Sequence, residues 1–412
     1  MNAPRPVHAP MTQFPVVDGC LSIGGVPLPV LAARVGRTPF YAYDRVLIAA
    51  RVAELRAALP AGIELHYAMK ANPMPAVVQL LAGHVDGLDV ASAGELQIAL
   101  DTGIDAREIS FAGPGKRDAE LIGAIRSGAT LNCESSGEAE RAIRLADGLG
   151  VTPRIAVRVN PDVELRGSGM KMGGRPSPFG VDAAQAAALV RRLLEAGVDW
   201  RGFHIYAGSQ ALDPSAIIGT QAATIALAAR LAEDAGAAPP LVNLGGGFGV
   251  PYFAGDASLD VEGVGEGLAQ ALDARPAPLA DARFAIELGR WLVAEAGVYL
   301  TRIVDRKESM GETFLVTDGG LNHQLAASGN FGTVVRRNYP LALARAIGGV
   351  ADEEVSVVGP LCTPLDRLGD RVGLPRAEPG DVIAVFLAGA YGASASPAAF
   401  LGHPPAREVV VG

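Results

Sequence analysis

From about residue 45 the chain repeats one pattern: a short β-type apolar run, a turn of Gly, Ser, Asn or Pro, then an Ala/Leu-rich stretch with helical spacing. The runs are ELHYAM (64–69), GLDVA (87–91), ISFAG (109–113), ATLNC (129–133), RIAVRV (154–159), RGFHIY (201–206), LVNLG (241–245) and RFAIEL (283–288). Stretches such as AVVQLLAGH, AGELQIALDTG and AAQAAALVRRLLEAG separate them. About eight strands alternating with helices predict right-handed crossovers and a closed (β/α)8 TIM barrel. The length of 412 residues leaves room for a second domain beside it. With 49% hydrophobic and 19% charged residues, the chain can bury a core large enough to offset the entropy of ordering it.

The ends depart from this rhythm. Residues 15–43 and 296–412 are richer in Val, Thr and turn pairs, with runs such as VYLTRIVD, ETFLVTD, EVSVVGP and DVIAVFLAGAYG. They predict an antiparallel β domain built by the C-terminal segment and completed by the N-terminal one. The expected division is a disordered tail over 1–14, an N-terminal segment over 15–43, a barrel over 44–290 and a β domain over 291–412.

Charge and composition narrow the function classes. A net charge of −9 without a dense Lys/Arg run argues against nucleic acid, so small-molecule chemistry is the starting expectation. The amino terminus, MNAPRPVHAPMTQ, has no apolar targeting segment, and the most apolar stretch, 216–229, is short and contains Thr220 and Gln221. The expectation is a cytoplasmic protein with no membrane partner. Cys20, Cys133 and Cys362 lie too far apart in sequence to suggest a disulfide framework or a zinc spacing, and the six histidines make no HxH or HxxxH pair, so no metal is expected.

In a barrel of this kind chemistry gathers at the C-terminal ends of the strands. Here those ends carry Lys70, Asp89, Glu134, Arg158, His204 with Tyr206 and Ser209, Gly245-Gly246-Gly247, and Glu287 with Gly289 and Arg290. Each has a plain alternative. A lysine at a strand end is commonly a surface lysine, a glycine run is commonly a turn, and an arginine commonly sits in an ion pair. Together they offer a lysine for Schiff-base chemistry, a backbone cradle for a phosphate and a carboxylate to hold a pyridinium N–H. That combination fits pyridoxal phosphate.

The ordered motifs HYAMKANP, GLDVASAGEL, FAGPGK, RVNPD, GSQ, NLGGGFG, ELGR, GPLC and AGAYG resemble the fold-type III pyridoxal-phosphate decarboxylases, the diaminopimelate and ornithine decarboxylase family, over roughly 20–405. The resemblance implies α-decarboxylation of an amino acid by a homodimer with an alanine-racemase-like barrel and active sites shared between subunits. By motif position it makes Lys70 the Schiff-base lysine and sets Glu287 against the pyridine nitrogen. Gly245, Gly246, Gly247, Ser209, Arg290 and Tyr391 fall around the phosphate, with Asp89, Arg158 and Gly289 joining the cofactor-contacting set. Cys362 corresponds to the proton-donating cysteine that the other subunit contributes.

Departures from the family pattern bear on the substrate. Diaminopimelate decarboxylases carry a distal-carboxylate arginine where this chain has Ala326, and the acidic residue that meets a distal amine is replaced by Thr363. Thr363, Asp366 and Asn330 are left as substrate-facing candidates, and neither diaminopimelate nor free ornithine fits well. Tyr206 replaces the ring-stacking histidine, and His204 is a candidate to compensate for it or else a hydrogen-bonded structural residue. GSGMKMGGRPSPFG and VVGPLCTPLDRLGDRV are most similar to an exosortase A and exopolysaccharide-associated subgroup. Related sequences act on unusual or carrier-bound amino acids. The alternatives are an amino-acid racemase on the same scaffold and a non-catalytic pyridoxal-phosphate-binding homologue.

Overall fold

The computed structural model describes residues 11–161, 170–171, 176–253, 255–329 and 338–412. The chain forms two compact units. One comprises Val52–Val250 with Ser258–Gly289, and the other Met1–Arg51, Pro251–Ala257 and Arg290–Gly412.

The first unit is built on eight parallel strands: β1 (Ile63–Ala68), β2 (Gly87–Val90), β3 (Ile109–Phe111), β4 (Thr130–Cys133), β5 (Arg154–Asn160), β6 (Asp199–Ile205), β7 (Leu241–Gly246) and β8 (Arg283–Leu288). Each strand pairs with the next in sequence, and pairing of β8 with β1 closes the TIM barrel. Along every strand one set of side chains faces the surrounding helices. Leu65, Tyr67, Leu88, Phe111, Leu131, Val157 and Ile286 are all buried there, and each is worth about 1.5–3 kcal/mol of hydrophobic stabilisation.

Several helices begin at a side-chain cap or end at a left-handed glycine. Ser92 and Ser135 accept from the N–H groups of Glu95 and Glu138, and Gly128 and Gly150 close their helices at φ 84° and 66°. Among the described residues one helix, Pro214–Ala235, is long and apolar enough to cross a membrane. It runs between β6 and β7 and buries Ile217, Ile225, Leu227 and Leu231 within its own unit, as a barrel helix does.

The second unit is a mixed β domain. Its central strand, Gly297–Ser309, pairs antiparallel with Phe40–Asp44, Glu312–Thr317 and Val382–Val385. The domain is therefore completed from the N-terminal side, as expected. Two pairings are parallel, however: Phe40–Asp44 with Arg407–Val411, and Glu312–Thr317 with Glu353–Val358. Residues 16–27 do not join this sheet and make a small three-stranded sheet of their own. The expected disordered tail over 1–14 is corrected at its end. Phe14 is 2% exposed with its ring 5.9 Å from that of Phe386, while residues 1–10 lie outside the described part.

Candidate active site

Many of the side chains facing into the barrel are polar, whereas barrels of this type more often fill that space with Val, Ile and Leu. On β1 to β4 they form one hydrogen-bonded belt. His66 Nδ1 lies 3.4 Å from Asp89 Oδ1, Ser110 Oγ donates to the same oxygen, and Asn132 Nδ2 donates to Ser110 Oγ at 3.0 Å. Asp89, a cofactor-contacting candidate, is thus tied into the belt by one oxygen, while Oδ2 has no partner among the described residues. On β4 and β5, Glu134 Oε1 accepts from Arg158 Nη1 at 2.8 Å, and Oε2 accepts from the Gly180 N–H at 3.1 Å.

Lys70 sits in the single 3-10 turn Met69–Ala71 that ends β1. Tyr67 and Asn72 fix this turn: the Tyr67 hydroxyl donates to Asn72 O at 2.9 Å, and Asn72 Oδ1 accepts from the Met74 N–H at 3.1 Å. Met69 and Ala71 are buried, whereas the Lys70 side chain is 49% exposed. Its Nζ lies 3.7 Å from Glu287 Oε1 and 5.7 Å from the Tyr206 ring centroid.

Glu287, near the end of β8, is 6% exposed, and its other oxygen, Oε2, is 2.7 Å from His204 Nε2. Burial pushes its pKa up, but Lys70, the His204 hydrogen bond and Arg158 outweigh that and hold the carboxyl well below the ordinary glutamate value. It stays ionised. Of the two ring-stacking candidates, His204 bonds Glu287 through Nε2, and the Tyr206 ring is the one within 5.7 Å of Lys70 Nζ.

The glycine run follows from close approach between neighbouring strands. A Cβ on Gly246 would meet Glu287 O at 1.9 Å, one on Gly245 would meet Ile205 O at 2.6 Å, and Gly245 and Gly247 adopt φ of 69° and 87°. The Ala211 N–H donates to Gly247 O at 2.9 Å and Ala211 O accepts from the Gly249 N–H at 2.8 Å, which stitches the run to the segment bearing Ser209. Ser209 Oγ is buried with no hydrogen-bond partner among the described residues. A glycine backbone beside an orphaned buried hydroxyl fits a phosphate. Gly289 has a packing reason of its own, because its Cβ would meet Ala68 O and Ala71 Cβ at 2.9 Å, against the turn that carries Lys70.

In the β unit Arg290 is enclosed by tyrosines. Its Nη1 donates to the Tyr252 hydroxyl at 2.6 Å, its guanidinium lies 4.7 Å from the Tyr391 ring centroid, and Tyr339 packs on Tyr252 at 4.9 Å. Cys362 is exposed, with Thr363 beside it half-buried. Asp366, a substrate-facing candidate, is corrected: it is 2% exposed and its carboxylate accepts from the N–H groups of Leu321 (2.6 Å) and Leu361 (2.8 Å), so it braces the loop from inside. Asn330 lies outside the described residues. Tyr252 and His66 are polar partners that sequence reasoning did not single out for the site. Only Tyr252 had a local signal, standing just past the glycine-rich NLGGGFG segment.

Comparison with known proteins gives concordant results. Residues 45–294 match the family described as pyridoxal-dependent decarboxylase, pyridoxal binding domain. The chain is 38% identical to an L-glutamyl-[BtrI acyl-carrier protein] decarboxylase of Niallia circulans over 379 residues, covering 90% of this chain and 88% of the relative. It is 31% identical to the diaminopimelate decarboxylase of Methanothermobacter thermautotrophicus, covering 97% and 93%. A solved diaminopimelate decarboxylase from M. jannaschii superimposes with a TM-score of 0.87 at 28% identity, covering 97% of this chain and 92% of the other.

Proposed function

The chain belongs to the pyridoxal-dependent decarboxylases, and on that premise we propose that this carboxy-lyase acts on an amino acid joined to a carrier through its side-chain carboxyl group. The observation that carries this is the pair Ala326 and Thr363, which stand where the family's distal charges would be. Ala326 is buried and has no charge to offer a distal carboxylate. The α-carboxylate is the group that leaves, so a carrier linkage has to run through the side chain. That linkage turns the distal carboxylate into a neutral acyl group, which needs no arginine clamp. The carrier-linked substrate in the Niallia circulans relative's name agrees with this reading.

The barrel residues fit the cofactor. Lys70 would carry the aldehyde carbon of pyridoxal phosphate and yield it to the substrate amine, while Ser209 and the glycine backbone would hold the phosphate. When bound, the protonated ring of the cofactor accepts the electron pair left as carbon dioxide departs. Glu287, held ionised, would keep the ring nitrogen protonated. Tyr206 offers an apolar face that excludes water, and Cys362 returns a proton to the α-carbon. We take the protein to be a cytoplasmic homodimer of the exopolysaccharide-associated subgroup. Three free cysteines suit a reducing compartment, and the exposure of Cys362 suits a residue lent to a second copy.

The test is carbon dioxide release from glutamate and related acidic amino acids loaded as carrier thioesters, compared with free glutamate, diaminopimelate and ornithine. The highest kcat/KM is expected for a thioester, and a preference for free diaminopimelate or ornithine overturns the assignment. Lys70→Ala should abolish release from every substrate.

A further inference from the structure

Within the barrel a small cavity with room for water-sized occupants, about 40 Å³, is lined by His204, Glu64, His66 and Arg154 among others. His204 Nδ1 and Arg154 Nε are buried and have no hydrogen-bond partner among the described residues, while Glu64 Oε2 and His66 Nε2, also without a hydrogen bond, face each other at 3.6 Å. Buried polar atoms without hydrogen bonds around one small space are the arrangement that bound water satisfies. Among the described residues, His204 is the one of these that bonds Glu287, at Oε2.

We infer that His204 is a positioning residue: its Nε2–H holds Glu287 Oε2 so that Oε1 faces the cofactor, while Nδ1 is held by water in the cavity. Geometry sets the direction of the bond. An ionised carboxylate has no proton to give, so the hydrogen on the 2.7 Å contact belongs to His204. Lys70 beside Oε1 and Arg158 from β5 add positive charge on the active-site side of Glu287. On the cavity side the charged groups are Glu64 and His66 on β1, Arg107 and Glu108 before β3, Arg154 on β5, Arg201 on β6 and Arg283 on β8. None of these cavity-side groups makes a hydrogen bond to Glu287, so His204 is the link between the two.

This inference rests on the reading of Glu287 as partner of the ring nitrogen. The experiment uses the holoenzyme and compares His204→Leu, which removes both nitrogens, with His204→Gln, whose amide keeps a donor near Nε2. The visible absorption band of the bound cofactor is followed against pH, with kcat and KM measured in parallel. His204→Leu should shift the spectral titration and lower kcat about tenfold to a hundredfold at nearly unchanged KM, the size of one charge-assisted hydrogen bond. His204→Gln should restore most of both. A His204→Leu protein with the wild-type titration and kcat overturns the inference, as does equal loss in both variants. Glu287→Gln separates the two levels. If it alone shifts the spectrum, the role of His204 fails and that of Glu287 stands; if neither does, the reading of Glu287 fails and takes the role of His204 with it.

Discussion

His66 shows what a polar barrel interior costs and returns. It is 4% exposed, with Asp89 at 3.4 Å on one side and Glu64 at 3.6 Å on the other. Burial lowers its pKa, but Asp89 and then Glu64 overcome this and carry it up to about 10. Since this lies above the unfolded-state value of about 6.5, the contribution to stability is complete below that pH and is lost as pH rises toward 10. The unfolding midpoint should therefore fall between pH 7 and 10, with a slope approaching about 1.4 kcal/mol per pH unit from this one group. His66→Gln should be less stable at pH 7, because the buried Asp89 loses its cation and Glu64 is left with Arg283, and its decline over that interval should be flatter. Thermal melts at several pH values check this, and an unchanged slope would assign the alkaline loss to another group.

At the scale of elements, two helix glycines that look alike in sequence should respond to alanine with opposite signs. Gly123 lies within the helix Asp118–Ser127, and a Cβ there meets nothing within 4 Å. Gly123→Ala should stabilise by about 0.5–1 kcal/mol through helix propensity and reduced freedom of the unfolded chain. Gly265, in the helix Val261–Asp273, has Ala58 O only 1.9 Å from where its Cβ would stand. Backbone cannot retreat as a side chain can, so Gly265→Ala should destabilise by about 1–3 kcal/mol despite the same gain in propensity. Denaturant midpoints of the two variants distinguish the cases. The same contrast bounds what was legible in the sequence. The barrel strands could be read to within about two residues because period-2 burial and turn residues are local signals: RGFHIY was expected over 201–206, and β6 is Asp199–Ile205. Lys70, Glu287 and the glycine run were legible from their places at strand ends. The bond from His204 to Glu287, the His66–Asp89 belt and the inward turn of Asp366 were not, because they depend on which strands or loops meet after folding. No spacing within one segment encodes that.

For the whole molecule, the proposed homodimer makes a prediction that no single chain can satisfy. Lys70 belongs to the barrel unit and Cys362 to the β unit, in a loop where Cys362 and Leu365 are both exposed, Leu365 at 58%. A second copy covering this loop would bury both side chains. If each active site takes its lysine from one copy and its cysteine from the other, Lys70→Ala and Cys362→Ala homodimers are each impaired, for different reasons. Mixing them restores sites. A mixed dimer has one site with both defects and one with neither, so random exchange of equal amounts should recover about a quarter of wild-type activity. The measurement is carbon dioxide release after the two proteins are mixed under conditions that allow subunit exchange, with light scattering to follow the dimer. Recovery near a quarter requires sites built across copies. Activity no greater than the mean of the two separate variants would mean that each chain supplies its own cysteine, and would overturn the shared site.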